Sequence, residues 1–491
     1  MCKKEGFFMS DHTGYIIGID IGTSSTKTIG LGLNGEVLAG FQQAYPTHHP
    51  QPGYSEQDQD EILQAVKNGI REVIRQTGRM PAAISFSSAM HSLLVLDAAG
   101  QALTPLITWA DNRSEPYALA LRDTPAGAEI YRQTGTPVHA MSPLCKIKWL
   151  REQQPDLFSR AAMFLGIKAY ILHHFLGDYV TDHSIASATG LFDIHTLQWN
   201  ATALEVAGIS GVQLPRLVPA DAVLTGLQPA IARELGIPAD TPVVAGGSDG
   251  CLAQLGSQAL DAGHATLTIG TSGAVRMAGS QPLTDAHRRL FTYLLTDHIY
   301  ITGGASNNGG VVLQWLVHDL LQLPATALPQ LVEAALTLPQ DELICLPYLQ
   351  GERAPVWNSR ARAAFIGIQP QHTQAHFTRA VLEGICFALR SIRVALEETA
   401  GPVHKISVSG GFTHSPGWVQ LLADVFGERM YLQQESDASA LGAVMLAATA
   451  LGLPLKIADR EGVVFEPDMA QHAVYKERYQ QFILLYEKLF S

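Results

Sequence analysis

The feature that most constrains this chain is an internal echo. Tyr15-Ile-Ile-Gly-Ile-Asp-Ile21 is a run of β-forming residues that ends in Gly22-Thr-Ser24, and about half a chain later Leu267-Thr-Ile-Gly-Thr-Ser272 repeats the pattern. Each triplet lies between two strand-like runs, which places it at the tip of a β-hairpin. The pattern predicts two related halves, each opening on such a hairpin. With 491 residues there is length for two or three domains. Several prolines up to Pro242 mark a boundary region, so the expected division is 1–243 and 244–491.

The intervening pattern is mixed. Asn34-Gly35 between apolar runs is a two-residue hairpin signal. Ile62, Val66, Ile70, Val73 and Ile74 recur with a helical period, and residues 82–86 and 93–96 look like strands. An α/β class follows. The net charge of −12 excludes a generic binder of nucleic-acid backbone, so any polyanion must be held locally. The five cysteines are far apart, and neither C-x-x-C nor H-E-x-x-H occurs, so neither a disulfide framework nor a zinc site is expected. MCKKEGFFMSDHTG lacks a secretory apolar segment, and the expected location is cytoplasmic. Residues 438–455 carry no charge but are rich in Ala, with Gly442, Gly452 and Pro454; a buried helix is expected there, not a membrane span.

Several motifs could carry chemistry. Glycine lets backbone approach a ligand, and the amides and hydroxyls of Gly-Thr-Ser can donate to phosphate oxygens, although either loop taken singly also reads as an ordinary turn. Asp20, two residues before Gly22, could hold Mg²⁺ directly or through water. A Walker-type loop is excluded because no Gly-Lys pair occurs; Gly22 to Lys27-Thr28 lacks the second glycine. Gly30-x-Gly32-x-x-Gly35 spells a dinucleotide fingerprint but spans the hairpin instead of opening a helix. Gly246-Gly-Ser248-Asp-Gly250 supports two readings. It is a nucleophile elbow with Ser248 attacking and His404 or His414 in support, or it presents Asp249 as the acting residue.

Met90-His91 and Trp109-Ala-Asp111-Asn-Arg113 follow strand-like runs, where open α/β sheets hold ligands, and their chemistry suits a polyol. Each also has a structural reading: His91 as a core histidine, Asp111 with Arg113 as an ion pair. Gly410-Gly411 offers close approach to a flat ring, or a plain turn.

Taken together these residues resemble the FGGY family of carbohydrate kinases. Met141-Ser-Pro143-Leu-Cys-Lys146 through Gln153 looks like one family signature, and Ala363 to Ile368 followed by His376 to Glu383 looks like the other. The resemblance implies two ribonuclease-H-like domains of the actin/hexokinase kind around a cleft, with sugar mainly on the first and ATP mainly on the second. It implies phosphate contacts from Thr23, Ser24, Ser25 and Lys27 and from Gly270, Thr271 and Ser272. It also implies nucleotide contacts from Gly310, Gly410 and Gly411, and Asp249 as the catalytic base. Phe412-Thr-His414-Ser415 departs from the commoner family pattern beside adenine.

Within the family, residues 85–91, 107–113 and 166–170 are most similar to gluconokinases, with xylulokinases as the alternative. Met90, His91, Trp109, Asp111, Arg113, Lys168 and Asp249 are then the expected substrate contacts. Arg113, Lys146 or Lys168 is expected to meet the carboxylate of a sugar acid. An aspartate of ordinary pKa would orient the hydroxyl and accept its proton late. The expected partners are a small sugar or sugar acid, ATP and Mg²⁺, and no nucleic acid or membrane; a homodimer is left open.

Overall fold

The structure, a computed structural model, describes residues 14–433, 437–457 and 462–490; Cys2 and the rest of the first thirteen residues lie outside it. Two sheets carry the chain. The first orders its strands Val37–Ala44, Ser25–Gly32, Tyr15–Ile21, Ala83–Ser88, Val243–Ser248 and Val223–Leu224. The second orders Phe291–Thr296, Ile299–Ser306, Gly273–Gly279, His264–Ile269, Lys405–Ser409, Met430–Leu432 and Val464–Phe465.

The echo in the sequence is an echo in topology. Tyr15–Ile21 pairs antiparallel with the next strand and parallel with Ala83–Ser88, just as His264–Ile269 pairs antiparallel with Gly273–Gly279 and parallel with Lys405–Ser409. Register fixes the tips: Ile21 faces Thr26, and Ile269 faces Gly273, so both Gly-Thr-Ser triplets sit in the turns. Central strands are buried on both faces, which explains their near-continuous Ile, Val and Ala content.

Helices cover the sheets where the periodicity asked for them. Gln59–Thr77 starts at Asp58, whose side chain accepts the Asp60 and Glu61 amides, and ends at left-handed Gly78. Its apolar stripe packs into the first core with Tyr15, Ile17 and Ile84. Gln374–Ala400 does the same for the second core.

Two elements fall differently from the expected division. Val243–Ser248 hydrogen-bonds alongside Ala83–Ser88, so the strand just beyond residue 243 completes the first sheet, and helix Asp249–Gly256 leaves from its end. The uncharged helix Ala438–Ala450, which follows a strand of the second sheet, packs against strands of the first and against Asp249–Gly256. A methyl on Gly442 would lie 2.0 Å from the Leu252 carbonyl oxygen, and one on Gly256 would lie 1.9 Å from that of Ala438. Small residues are what let these two helices touch backbone to backbone. Among the described residues no helix is long and apolar enough to cross a membrane, and Cys145, Cys251, Cys345 and Cys386 are buried and free.

Candidate active site

The first loop is braced by side chains. The Tyr45 hydroxyl donates to the Gly22 carbonyl at 2.6 Å, Gln57 donates to the Thr23 carbonyl, and Trp109 Nε1 donates to Thr23 Oγ1 at 2.9 Å. Ser24 is exposed, and Ser25 Oγ accepts from Gln42. Lys27 leaves the loop and pairs with Asp437 at 3.1 Å, at the start of the helix from the other half.

Asp20 ends the first strand beneath this loop. Its carboxylate accepts from Ser87 Oγ at 2.9 Å and Ser439 Oγ at 3.3 Å. Burial pushes its pKa up, and those two hydroxyls partly offset the shift. Asp249 opens helix Asp249–Gly256, half-buried, and accepts the Gly250 amide at 2.7 Å. Burial first and the charge of Asp20 second push Asp249 up to about 6, while Arg276 pulls it down. This corrects the expectation of an ordinary aspartate: the group is a stronger base than free Asp.

Among the described residues the second loop is braced by backbone alone. The Gly310 amide donates to the Gly270 carbonyl at 2.7 Å, and the Gly309 and Val311 amides donate to that of Thr271. Gly270 and Thr271 are exposed on the wall of a cavity of about 890 Å³. Leu313, Val332, Leu336, Phe412 and Trp418 give this cavity an apolar lining, and Gly310 and Gly411 let backbone form its edge. Gly410 lies behind it with φ of 106°, where an added methyl would sit 2.3 Å from the Ile269 carbonyl oxygen, so no side chain fits there.

The acceptor side is only partly what the sequence suggested. Trp109 and Met90 are half-buried and line one small pocket with Thr23 and Gln57, whereas His91 is buried with φ of 65° and its Nδ1 2.6 Å from the Ala188 carbonyl. Burial holds that imidazole down at about 3, so it is neutral. The three cations expected to meet a carboxylate are committed to the protein. Arg113 donates to Asp111 and Glu56 and stacks 3.7 Å over Tyr54, while Asp111 is buried and accepts the Ser55 amide. Lys146 donates to the carbonyls of His91 and Thr108. Lys168 pairs with Asp182 at 2.6 Å and donates to the Gly247 carbonyl, tying down the strand that ends at Asp249. A buried ammonium or guanidinium must be paired, and these took the nearest acceptors.

Sequence reasoning missed Arg276 and Arg353. Arg276, on Gly273–Gly279, lies against Gly250, and Arg353 sits 4.8 Å over the Trp109 ring. The available signal was a single arginine inside Gly-Ala-Val-Arg-Met-Ala-Gly, just beyond the second loop. The nucleophile-elbow reading of Ser248 does not hold. Ser248 is fully buried and its hydroxyl meets Ser184 Oγ at 3.1 Å, while His414 turns to the Gly411 carbonyl and His404 lies beside Gly263.

The models for the N-terminal and C-terminal domains of the FGGY family of carbohydrate kinases match residues 15–256 and 265–451. The chain belongs to that family. As an FGGY kinase it is 39% identical over 452 residues to a gluconokinase of Bacillus subtilis, covering 90% of this chain and 88% of the relative. It is 30% identical over 486 residues to a xylulose kinase of Staphylococcus epidermidis, covering 96% of each. A crystal structure of gluconate kinase from Lactobacillus acidophilus superposes with a TM-score of 0.92 at 34% identity, covering 97% of this chain and 98% of that one. The two-domain actin/hexokinase-like fold and the kinase class are thereby shown.

Proposed function

We propose that this kinase transfers the γ-phosphoryl group of ATP to the terminal hydroxyl of D-gluconate, giving 6-phosphogluconate and ADP. The observation that carries the reading is Asp249. It is a half-buried carboxylate with its pKa raised to about 6, at a helix start within the electrostatic reach of Asp20 and beside Met90. The gluconokinase and gluconate kinase relatives supply the acid; the xylulose kinase relative keeps D-xylulose as the second reading.

In this reading Asp249 accepts a hydrogen bond from the acceptor hydroxyl and takes its proton as the oxygen–phosphorus bond forms. The transition state is loose, so positioning and charge matter more than base strength. Thr23, Ser24, Ser25 and Lys27 donate to phosphate oxygens from one side, and Gly270, Thr271 and Ser272 from the other. The apolar cavity between Leu313 and Phe412 takes the base and ribose, with Gly310, Gly410 and Gly411 against them. Asp20 feels the charges of Lys27 and Asp437 and in turn acts on Asp249, and a single buried carboxylate of this kind suits a divalent cation that keeps most of its waters, with Asp20 as its protein contact. Mg²⁺ bound there would neutralise charge on the phosphates.

The test is ADP release from MgATP with D-gluconate, D-xylulose, glycerol or no acceptor. Release that depends on gluconate is expected. Release with xylulose alone would overturn the acid as substrate while keeping the kinase, and release that no acceptor raises above the blank would overturn phosphoryl transfer to any of these acceptors.

A further inference from the structure

Arg276 is packed against the helix start at Gly250 with its donors unspent. It extends from Gly273–Gly279, where its neighbours Val275 and Met277 enter the second core; alternation along the strand sends Arg276 the other way, toward the first half. A methyl built on Gly250 would be 3.1 Å from Arg276 Nε, 3.3 Å from one terminal nitrogen and 3.2 Å from Met90 Cε. The guanidinium and Met90 therefore both stand against the helix start that carries Asp249. Its Nε is buried without a partner, and among the described residues it donates no hydrogen bond. A guanidinium has five N–H donors, and leaving them unmet away from water costs free energy.

Arg353 lies nearby in a similar condition. It is buried over Trp109, its Nε also lacks a partner, and it donates to the Ser306 carbonyl at 3.3 Å. Arg113, Lys146 and Lys168, by contrast, are matched to carboxylates and carbonyls of the chain itself. Asp249 attracts both arginines but is bonded to the Gly250 amide and not to either of them.

We propose that Arg276 receives the carboxylate of the sugar-acid substrate through paired N–H donors, with Arg353 beside it as a second cation over the Trp109 side of the cleft. The inference rests on the gluconate reading above and gives that reading a specificity-determining residue. A planar guanidinium matches a carboxylate through two parallel hydrogen bonds, which a neutral ketose or polyol cannot supply. A site built to pair with a group rejects an analogue that lacks it, because its own buried donors stay unmet. Arg276 comes from the second sheet while Met90 and Trp109 come from the first half, so an acid held by both halves bridges the cleft.

The experiment is steady-state kinetics of the full chain and of Arg276→Met and Arg276→Lys, with D-gluconate and with D-xylulose, after a thermal melt of each variant. Arg276→Met is expected to raise KM for gluconate roughly 10- to 100-fold, the scale of hydrogen bonds to a charged group, with KM for MgATP as the internal control. Arg276→Lys should fall between, and it carries the test if the methionine variant does not fold. The xylulose-to-gluconate ratio of kcat/KM should rise in both. An unchanged KM for gluconate in a chain that uses gluconate would overturn the anchor and leave the substrate intact. A loss confined to kcat would overturn it by assigning Arg276 to the transferring phosphoryl group. A parent enzyme that ignores gluconate and uses xylulose would overturn the substrate and the anchor together.

Discussion

The two Gly-Thr-Ser loops share a tripeptide and a place at a hairpin tip, yet they are built differently around it. Side chains from distant segments hold the first: Trp109 on Thr23, Gln57 and Tyr45 on its carbonyls, Asp437 on Lys27. Amides from residues 309–311 hold the second, which opens onto the large apolar cavity. The first loop is thus wired to Trp109, so under the proposed function a disturbance there is expected to reach both substrates. Under the same proposal, altering the second is expected to affect the nucleotide alone. Identical turn chemistry does different work because the surrounding layers differ.

The widest break of this contrast is Asp249→Asn, which removes the proposed proton acceptor. Turnover should fall by about 10²–10⁴-fold while calorimetric ADP binding, which the proposed function assigns to other residues, persists. Near-normal turnover would refute the role. A backbone break of the second wall is Gly410→Ala, which must force a methyl against the Ile269 carbonyl at a left-handed φ. Overpacking of this kind costs about 1–3 kcal/mol, readable in a denaturant melt, and KM for MgATP should rise with KM for the acceptor held; an unaltered melt would contradict the geometry.

The pH profile sharpens the same contrast. Asp249 must be ionised to accept a proton, and its pKa is raised to about 6, so activity is full above that value and lost as pH falls through it. The acid limb of kcat/KM, which reports the free enzyme, should bend near pH 6 and fall about tenfold per unit below; a limb that bends near pH 4 would contradict the raised pKa. The smallest expected change compares Thr23→Val with Thr271→Val. Removing one hydroxyl costs about 1 kcal/mol, so each should raise KM for MgATP a few-fold. Thr23→Val alone should also raise KM for the acceptor, because Trp109 loses its hydrogen-bond partner; equal acceptor effects from both would erase the distinction between the loops.

Local sequence carried much of this. Asn34-Gly35, the 3.6-residue stripe of residues 62–74 and the runs ending at Ile21 and Ile269 announce their structures, because turn chemistry and periodicity act over a few neighbours. Asp249 stood out by its motif. The small residues of Ala438–Ala450 foretold close packing, but not that the helix would lie on the first sheet. Nor did a boundary drawn from prolines reveal that Val243–Ser248 pairs with Ala83–Ser88, since strand pairing is a long-range choice.

The cations divide most clearly. Arg113, Lys146 and Lys168 beside suggestive motifs looked free in sequence, and in the fold each has an acceptor; Arg276 drew no attention, and in the fold its donors are unmet. The sequence by itself determined the repeated hairpins, the α/β layers and the aspartate at the end of a buried strand, all set by short-range geometry and hydrophobic pattern. Only the tertiary structure decided which charges are spent and which keep unmet donors. A charge is satisfied by whatever acceptor the fold brings within about 3 Å, and those acceptors come from residues tens to hundreds of positions away.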